Sequence, residues 1–255
     1  MKIINKMYGG GVELVFDVLR HQYSVDGEVV KGVTSVLNIL SKPALVPWTA
    51  KVTTQSMRDQ IKPGIAYDEV QIEEMLDVAK RANYVKKTSA GTIGTLSHQF
   101  AEDYAKKLNP QYPINEEAKR SCERFVAWAE KTKIDFRLTE QAVYSRKHKI
   151  AGTLDNISII DNKLTLIDYK TSSGIWDEYL LQIGAYAMMR NEEFPKEIFE
   201  GGAKIVRFGK DDDDFEIKSV TKDELYYYGE TFISVLDVSN RMDKVKELSG
   251  SKKYA

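Results

Sequence analysis

The sequence predicts an α/β (α+β) protein in which a helical lobe precedes a strand-rich half. Between Trp48 and about Lys131 the apolar residues recur at helical spacing, and from Phe136 the period changes to two. Beyond that strand-rich stretch a helical pattern and a hairpin pattern follow, so the second half carries both element types. A chain of 255 residues can bury one large core. The expected organisation is a single domain over 1–255, with N-terminal strands and the helical lobe at 1–90, the core at 91–220 and a C-terminal helix at 221–255.

Taken in order, the first forty residues read as short strands around the turn Asp26-Gly27. A short helix opens near Thr34 or Ser35 and stops before Pro43. Three stretches interrupt the helical lobe: Lys62-Pro63-Gly64, Thr88-Ser89-Ala90-Gly91, and Asn109-Pro110 on to Pro113. Strands are expected near 136–145, 151–160 and 164–170, then a helix near 175–191 and a hairpin near 203–219. Thr221 and Glu224 form a capping-box pattern that opens a last helix running past Arg241.

Composition narrows the function classes only a little. Hydrophobic residues make up 42% and charged residues 29%, an ordinary soluble balance, and no apolar run approaches the length of a membrane helix. The N-terminus MKIINKMYGGGVELVF lacks the apolar core of a secretory signal and the Arg-rich look of a transit peptide, so a cytoplasmic chain is expected. Cys122 is the only cysteine, which excludes an intrachain disulfide and a thiolate cluster; it reads as a small core residue. The formal net charge of -1 means that a polyanion would have to be held by local basic patches and metal ions. The acidic run at 211–214 lacks the spaced ligands and glycine of a calcium loop and reads as a solvated hairpin turn. Tyr226, Tyr227 and Tyr228, early in an amphipathic helix, are expected to pack halfway into a core rather than to stack on bases.

Two Asp-x-Lys triplets lie close together, Asp161-Asn162-Lys163 and Asp168-Tyr169-Lys170. Asp161-Asn162 is turn chemistry between two apolar runs, whereas Asp168 continues a strand through Leu164, Leu166 and Ile167. If Asp161 and Asn162 centre the turn, Ile159 opposes Leu164, Ile157 opposes Leu166 and Asp155 opposes Asp168. Strand alternation then sets Asp155, Asp168 and Lys170 on one face. Opposed carboxylates about 5 Å apart repel unless a cation lies between them. A turn centred on Lys147-His148 would add Glu140 opposite Asp155, completing a row of three acids.

In GTIGTLSHQFAEDYAKKL, the residues Ile93, Leu96, Phe100, Tyr104 and Leu108 make one apolar stripe at helical spacing. Gly94, His98, Ala101, Glu102 and Ala105 make a second line of mostly small residues. His98 and Glu102 are one turn apart and can address one point, although a lone helical histidine is ordinarily structural. Gln182 and Tyr186 are also one turn apart, on the helix after the Asp168 strand.

In chain order, GTLSH at 94–98 with Glu102, Glu140, GTLD at 152–155, IDYK at 167–170 and QIGAY at 182–186 resemble the RecB-like branch of the PD-(D/E)XK nuclease superfamily. That branch includes phage exonucleases and the mitochondrial genome maintenance exonuclease. The match spans roughly 90–190, and residues 30–51 also look like the N-terminal region of phage-type members. Leu154 stands where the superfamily's proline would precede Asp155, and the cysteines of iron-sulfur members are missing, so no iron-sulfur cluster is expected.

The resemblance implies a central mixed β-sheet flanked by helices, a restriction-endonuclease-like core, and Mg²⁺ or Mn²⁺ chemistry with one or two ions. His98, Asp155, Asp168 and the Tyr169 carbonyl would surround the metal. Lys170 would orient the attacking water, Glu140 and Glu102 would serve a second ion or a bound water, and Gln182 and Tyr186 would position the strand or Lys170. The implied activity is a DNA exonuclease at strand ends in recombination, repair or phage DNA processing. The implied partners are DNA, single-stranded or with free ends, and replication or recombination proteins, with no membrane; a phage-encoded member would act in the host cytoplasm. Arg146, Lys147, Lys149, Lys86 and Lys87 read equally as phosphate contacts or as solvated loop residues. An endonuclease on the same core and a non-catalytic DNA-binding recombination partner are the competing functions.

Overall fold

A computed structural model describes residues 1–43, 45–209 and 215–250. The acidic run at 211–214 lies outside the described residues. Strands β1 (Lys2–Met7), β2 (Val12–Asp17), β3 (Gln22–Val25) and β4 (Glu28–Gly32) form an antiparallel meander. Asp26 and Gly27, both at positive φ, make its last turn, as a two-residue hairpin of this type requires. Helices α1 (Val33–Leu37), α2 (Leu45–Gln60), α3 (Glu69–Ala105) and α4 (Glu116–Thr132) follow. The second half continues with β5 (Asp135–Ser145), β6 (Ile150–Ile160), β7 (Lys163–Lys170), α5 (Asp177–Glu193), β8 (Ala203–Arg207), β9 (Glu216–Val220) and α6 (Lys222–Ser249).

Among the described residues nine strands form one mixed sheet, with β4 parallel to β6, β7 parallel to β8 and the other pairs antiparallel. β5 runs along one edge of β6. The other edge is shared: β4 takes Ile150 and Ala151, and β7 takes residues from Asn156 onward. Between these two partners, at 152–155, that edge of β6 has no neighbouring strand in register.

Helices cover both faces. Leu154, Ile157, Leu166, Ile205, Ile183 and Phe232 belong to a core against α5 and α6. On the opposite face Ile167, Tyr169, Val206 and Phe208 pack with Phe100, Phe125 and Cys122 of α3 and α4. Cys122 is fully buried there, the small core residue that the sequence suggests. Tyr226 and Tyr228 are half-buried, while Tyr227 is exposed.

One expectation for the helical lobe needs correction. The stretch 88–91 does not break the chain: α3 runs without interruption from Glu69 to Ala105. A capping box between Asp68 and Gln71 starts it, and no proline lies within it. The hydroxyls of Thr88, Thr92 and Thr95 donate to the carbonyls of Tyr84, Thr88 and Gly91, so the threonines in and after this stretch are satisfied inside the helix. The apolar stripe is buried in part: Phe100 is in the core with Tyr104 packed beside it, whereas Leu96 and Leu108 are exposed. The line Gly94, Ala101 and Ala105 is buried as well, because small side chains let the helix approach the sheet closely.

Candidate functional site

The site grows out of the shared edge of β6. The β6–β7 ladder has the register set by the Asp161-Asn162 turn, from Ile160 opposite Lys163 to Asn156 opposite Ile167, and there it stops. Asp155 and Asp168 are the next residues on their strands. The Asp155 Oδ2 accepts the backbone N–H of Tyr169 at 2.6 Å, so a side chain takes the place of a ladder bond. β7 meanwhile stays paired with β8, where Asp168 lies beside Ile205 and Lys170 beside Arg207. The two strands therefore fork at the two aspartates.

β5 is irregular at the same level. Glu140 has φ 51, a left-handed conformation that costs a non-glycine residue about 1–2 kcal/mol. It falls between the pairs Gln141–Leu154 and Thr139–Asn156, level with Asp155. Leu154 and Ile157 belong to the same core although they are three residues apart, as do Val143 and Leu138 at five. The simple alternation assumed for the acid row therefore slips at Asp155 and at Glu140, and Asp155 reaches sideways to β7. Among the described non-glycine residues at positive φ, Glu140 alone lies within a strand, and strain there is of the kind that marks functional sites.

Asp168 and Lys170 alternate with Ile167 and Tyr169, so they face α5 rather than the aromatic cluster. Asp168 is 1% exposed, and its Oδ1 has no hydrogen-bond partner. The Lys170 Nζ lies 2.5 Å from its Oδ2 and 5.0 Å from the centre of the Tyr179 ring. Burial pushes the Asp168 carboxyl up to about 6 against the pull of Lys170, and the charge of Asp155 adds to the rise. Asp155 is likewise raised by burial. Burial works against the Lys170 charge, yet Asp168 and Asp155 outweigh it and hold the ammonium above its ordinary range.

The remaining predicted residues adjoin this pair. His98 is half-buried, hydrogen-bonds the Tyr169 backbone, and is held down to about 4 by burial and by the Lys170 charge. Glu140 is pushed up to about 7 by desolvation, then by the charges of Asp155 and Glu102. Glu102 pairs with Lys106 on the next turn of α3. Gln182 donates from Nε2 to the Tyr186 Oη at 2.8 Å. Tyr186 packs over Gly152, where a Cβ would stand 2.5 Å from its ring. Its hydroxyl is raised well above its ordinary value by burial and by the charges of Asp168 and Asp155.

The phosphate-contact candidates lie apart from this cluster. The Arg146 guanidinium sits 4.2 Å from the Tyr8 ring centre, and Lys147 and Lys149 are exposed on the β5–β6 turn. That turn is fastened by Glu192, whose carboxylate accepts from Ser145 Oγ at 2.5 Å and from the Lys147 N–H at 3.2 Å. Lys86 and Lys87 are exposed on α3.

Hard oxygen donors dominate the fork, and the buried Oδ1 of Asp168 is left without a partner; these features fit a divalent ion. Among the described residues, however, no three His, Cys, Asp or Glu side chains are grouped as a ready metal cluster. The Lys170 ammonium supplies the cation to Asp168 in this arrangement.

Three neighbours went unnoticed in the sequence. Tyr179 carries Lys170 on its ring and precedes Gln182 and Tyr186 by helical steps, a spacing that could have revealed it. Thr171 packs against Gly94, where a Cβ would meet its Oγ1 at 2.4 Å. Arg207 donates from Nη1 to the Ser172 carbonyl at 3.3 Å and pairs with Glu216, contacts that depend on β8 joining β7 and have no local signal.

No family model matches the chain, and no curated protein does. Among solved structures, a candidate exonuclease from Eubacterium rectale is similar at 15% identity over 58% of this chain and 68% of that one, with a TM-score of 0.37. The protein SSO0001 is similar at 15% identity over 45% of this chain and 57% of that one, with a TM-score of 0.27.

Proposed function

We propose that this chain is a metal-dependent DNA exonuclease that hydrolyses phosphodiester bonds at strand ends. The observation that carries the reading is the pair at the fork: a buried aspartate with one bare oxygen and the other against the half-buried Lys170 ammonium, and a second aspartate reaching in from the next strand. A structural ion pair alone would not call for the second carboxylate, whose charge opposes burial of the first.

Asp155, Asp168, the Tyr169 carbonyl and His98 would hold the ion, Mg²⁺ or Mn²⁺. When bound, it supplies a Lewis acid for a phosphate oxygen and makes water more acidic. His98 is suited to such a role because it stays neutral at physiological pH. Lys170 remains charged, so its ammonium orients water and offsets the negative charge that grows on the phosphate. Glu140, an exposed carboxylate level with Asp155, is placed to accept a proton or to hold a bound water. The Gln182–Tyr186 pair fixes the wall that faces the two aspartates.

The test is digestion of end-labelled linear and covalently closed circular DNA, single- and double-stranded, with Mg²⁺ or Mn²⁺. Linear strands are degraded from an end and circles persist. Lys170→Ala lowers the rate roughly 10²- to 10⁴-fold while the protein still melts cooperatively. Equal cutting of circles indicates an endonuclease on the same core. Metal-independent binding without hydrolysis indicates the non-catalytic DNA-binding alternative, which the direct Lys170–Asp168 contact favours.

A further inference from the structure

The segment between Lys170 and α5 ends in Trp176, a residue with no part in the chemistry above. We infer that Trp176 is a stacking platform for an unpaired base of the DNA strand, one to three nucleotides from the reacting phosphate; this rests on the nuclease reading. Trp176 occupies the N-cap of α5, where Ser, Thr, Asp or Asn would stabilise the helix by about 1 kcal/mol, and its side chain makes no capping hydrogen bond. The indole is 39% exposed and belongs to none of the three apolar clusters, whereas its neighbour Ile175 packs into one. Among the described residues no aromatic ring pairs with it. By contrast Trp128 lies inside the aromatic cluster of α3 and α4. Capping does not account for a tryptophan at this position.

The segment is rigid enough to present a ring in a fixed place. The Phe208 N–H donates to the Lys170 carbonyl at 2.7 Å, and Arg207 Nη1 to the Ser172 carbonyl at 3.3 Å. Ser172 Oγ donates to the Gly174 carbonyl at 2.6 Å, Thr171 is wedged against Gly94, and the indole lies on the side of Gly174 where a Cβ would stand 3.5 Å from it. Six residues span at most roughly 20 Å, so the ring stays within a few nucleotides of Lys170. The first turn of α5 carries Asp177 and Glu178, which disfavour a phosphate at this spot; Glu178 is paired with Lys42 at 3.0 Å. A ring beside acidic side chains suits a base face better than a backbone contact. Stacking of this kind tolerates any sequence but needs a base free of its duplex partner. The substrate class is therefore single-stranded DNA, or duplex with a frayed or single-stranded end.

The experiment uses the full chain in EDTA with a fluorescein-labelled single-stranded oligodeoxynucleotide, read by anisotropy, with cleavage followed separately in Mn²⁺. Trp176→Ala is expected to weaken binding roughly 5- to 140-fold and to raise KM with little change in kcat, while Trp176→Phe stays within about threefold of the original. One abasic nucleotide, moved along the oligonucleotide, should cost the unmodified protein a similar factor at one position and cost Trp176→Ala nothing there. The inference is overturned if Trp176→Ala binds and cuts like the original, or if the abasic penalty is the same in both proteins; the nuclease reading then stands. If the unmodified protein neither binds nor cuts DNA, that reading fails and takes this one with it.

Discussion

His98 shows how much of the site's electrostatics is decided one residue at a time. In the unfolded chain its imidazole titrates near 6.5, and in the fold near 4. Between these values the unfolded chain binds more protons, so the His98 contribution to stability is full above 6.5 and is lost as the pH falls towards 4. Asp168 and Glu140 have the opposite sign. Their folded values of about 6 and about 7 exceed the unfolded 3.8 and 4.5, so they favour folding in acid and oppose it as the pH rises through 6 and 7. The three effects overlap in the whole profile, but a variant separates them. In EDTA, His98→Gln should lose less stability than the original between pH 6.5 and 4.5, the two curves converging by up to about 1.4 kcal/mol per pH unit, with a constant offset above pH 7. Parallel urea-unfolding curves across this range would mean that the folded protein protonates His98 freely. The sequence could name this residue as a candidate ligand but could not show its neutral state. That state comes from burial and from the Lys170 charge, and both depend on α3 crossing the end of β7.

At the scale of the element, α3 corrects the weight given to small residues. Thr88-Ser89-Ala90-Gly91 suggests a break because such residues favour turns, yet the Thr88 hydroxyl bonds back into the helix and the run continues. Its two glycines then have opposite roles. A Cβ at Gly91 would meet nothing within 4 Å, while one at Gly94 would stand 2.4 Å from the Thr171 Oγ1. Gly91→Ala should therefore stabilise the protein by roughly 0.5–1 kcal/mol, the ordinary gain of alanine over glycine inside a helix. Gly94→Ala should destabilise it by roughly 1–3 kcal/mol and lower activity, since Thr171 adjoins Lys170 and must shift. Urea denaturation of both variants, with cleavage assays beside it, checks the pair; a destabilising Gly91→Ala would mean that this face of α3 is covered. The same distinction applies in QIGAY, where the sequence draws attention to Gln182 and Tyr186. The glycine between them lets α5 cross α6 at backbone contact, a Cβ at Gly184 standing 2.4 Å from the Gly229 nitrogen. The role of such a glycine is visible only once the partner helix is in place.

At the scale of the whole molecule, the readable and unreadable parts of the fold divide by sequence distance. The β5–β6–β7 register followed from two short turns, and the structure keeps it from Ser145–Ile150 to Leu138–Ile157 and from Ile160–Lys163 to Asn156–Ile167, with a one-residue shift in β5 beyond Leu138. The fork itself needs β4, some 120 residues away in the chain, to take the start of β6 and leave 152–155 without a partner strand; no local pattern announces such a pairing. Non-local assembly also distributes stability unevenly. α2 and the first half of α3, over 45–85, bury only Val52, Met75 and Ala79 among the described residues, whereas β6 and β7 are buried along most of their length and paired on both edges. Few apolar contacts mean that local opening costs little. Amides of α2 and of the N-terminal half of α3 should therefore exchange with solvent through openings several kcal/mol below the global unfolding free energy, while those of Ile157, Ile159, Leu164 and Leu166 exchange only on global unfolding. The boundary should fall within α3 near Gly94, where the helix first meets the core at Thr171. Native-state hydrogen exchange resolved along the chain measures this directly. Equal protection from Glu69 to Ala105 would show α3 opening as one unit, its outer half drawing stability from contacts other than the three buried side chains.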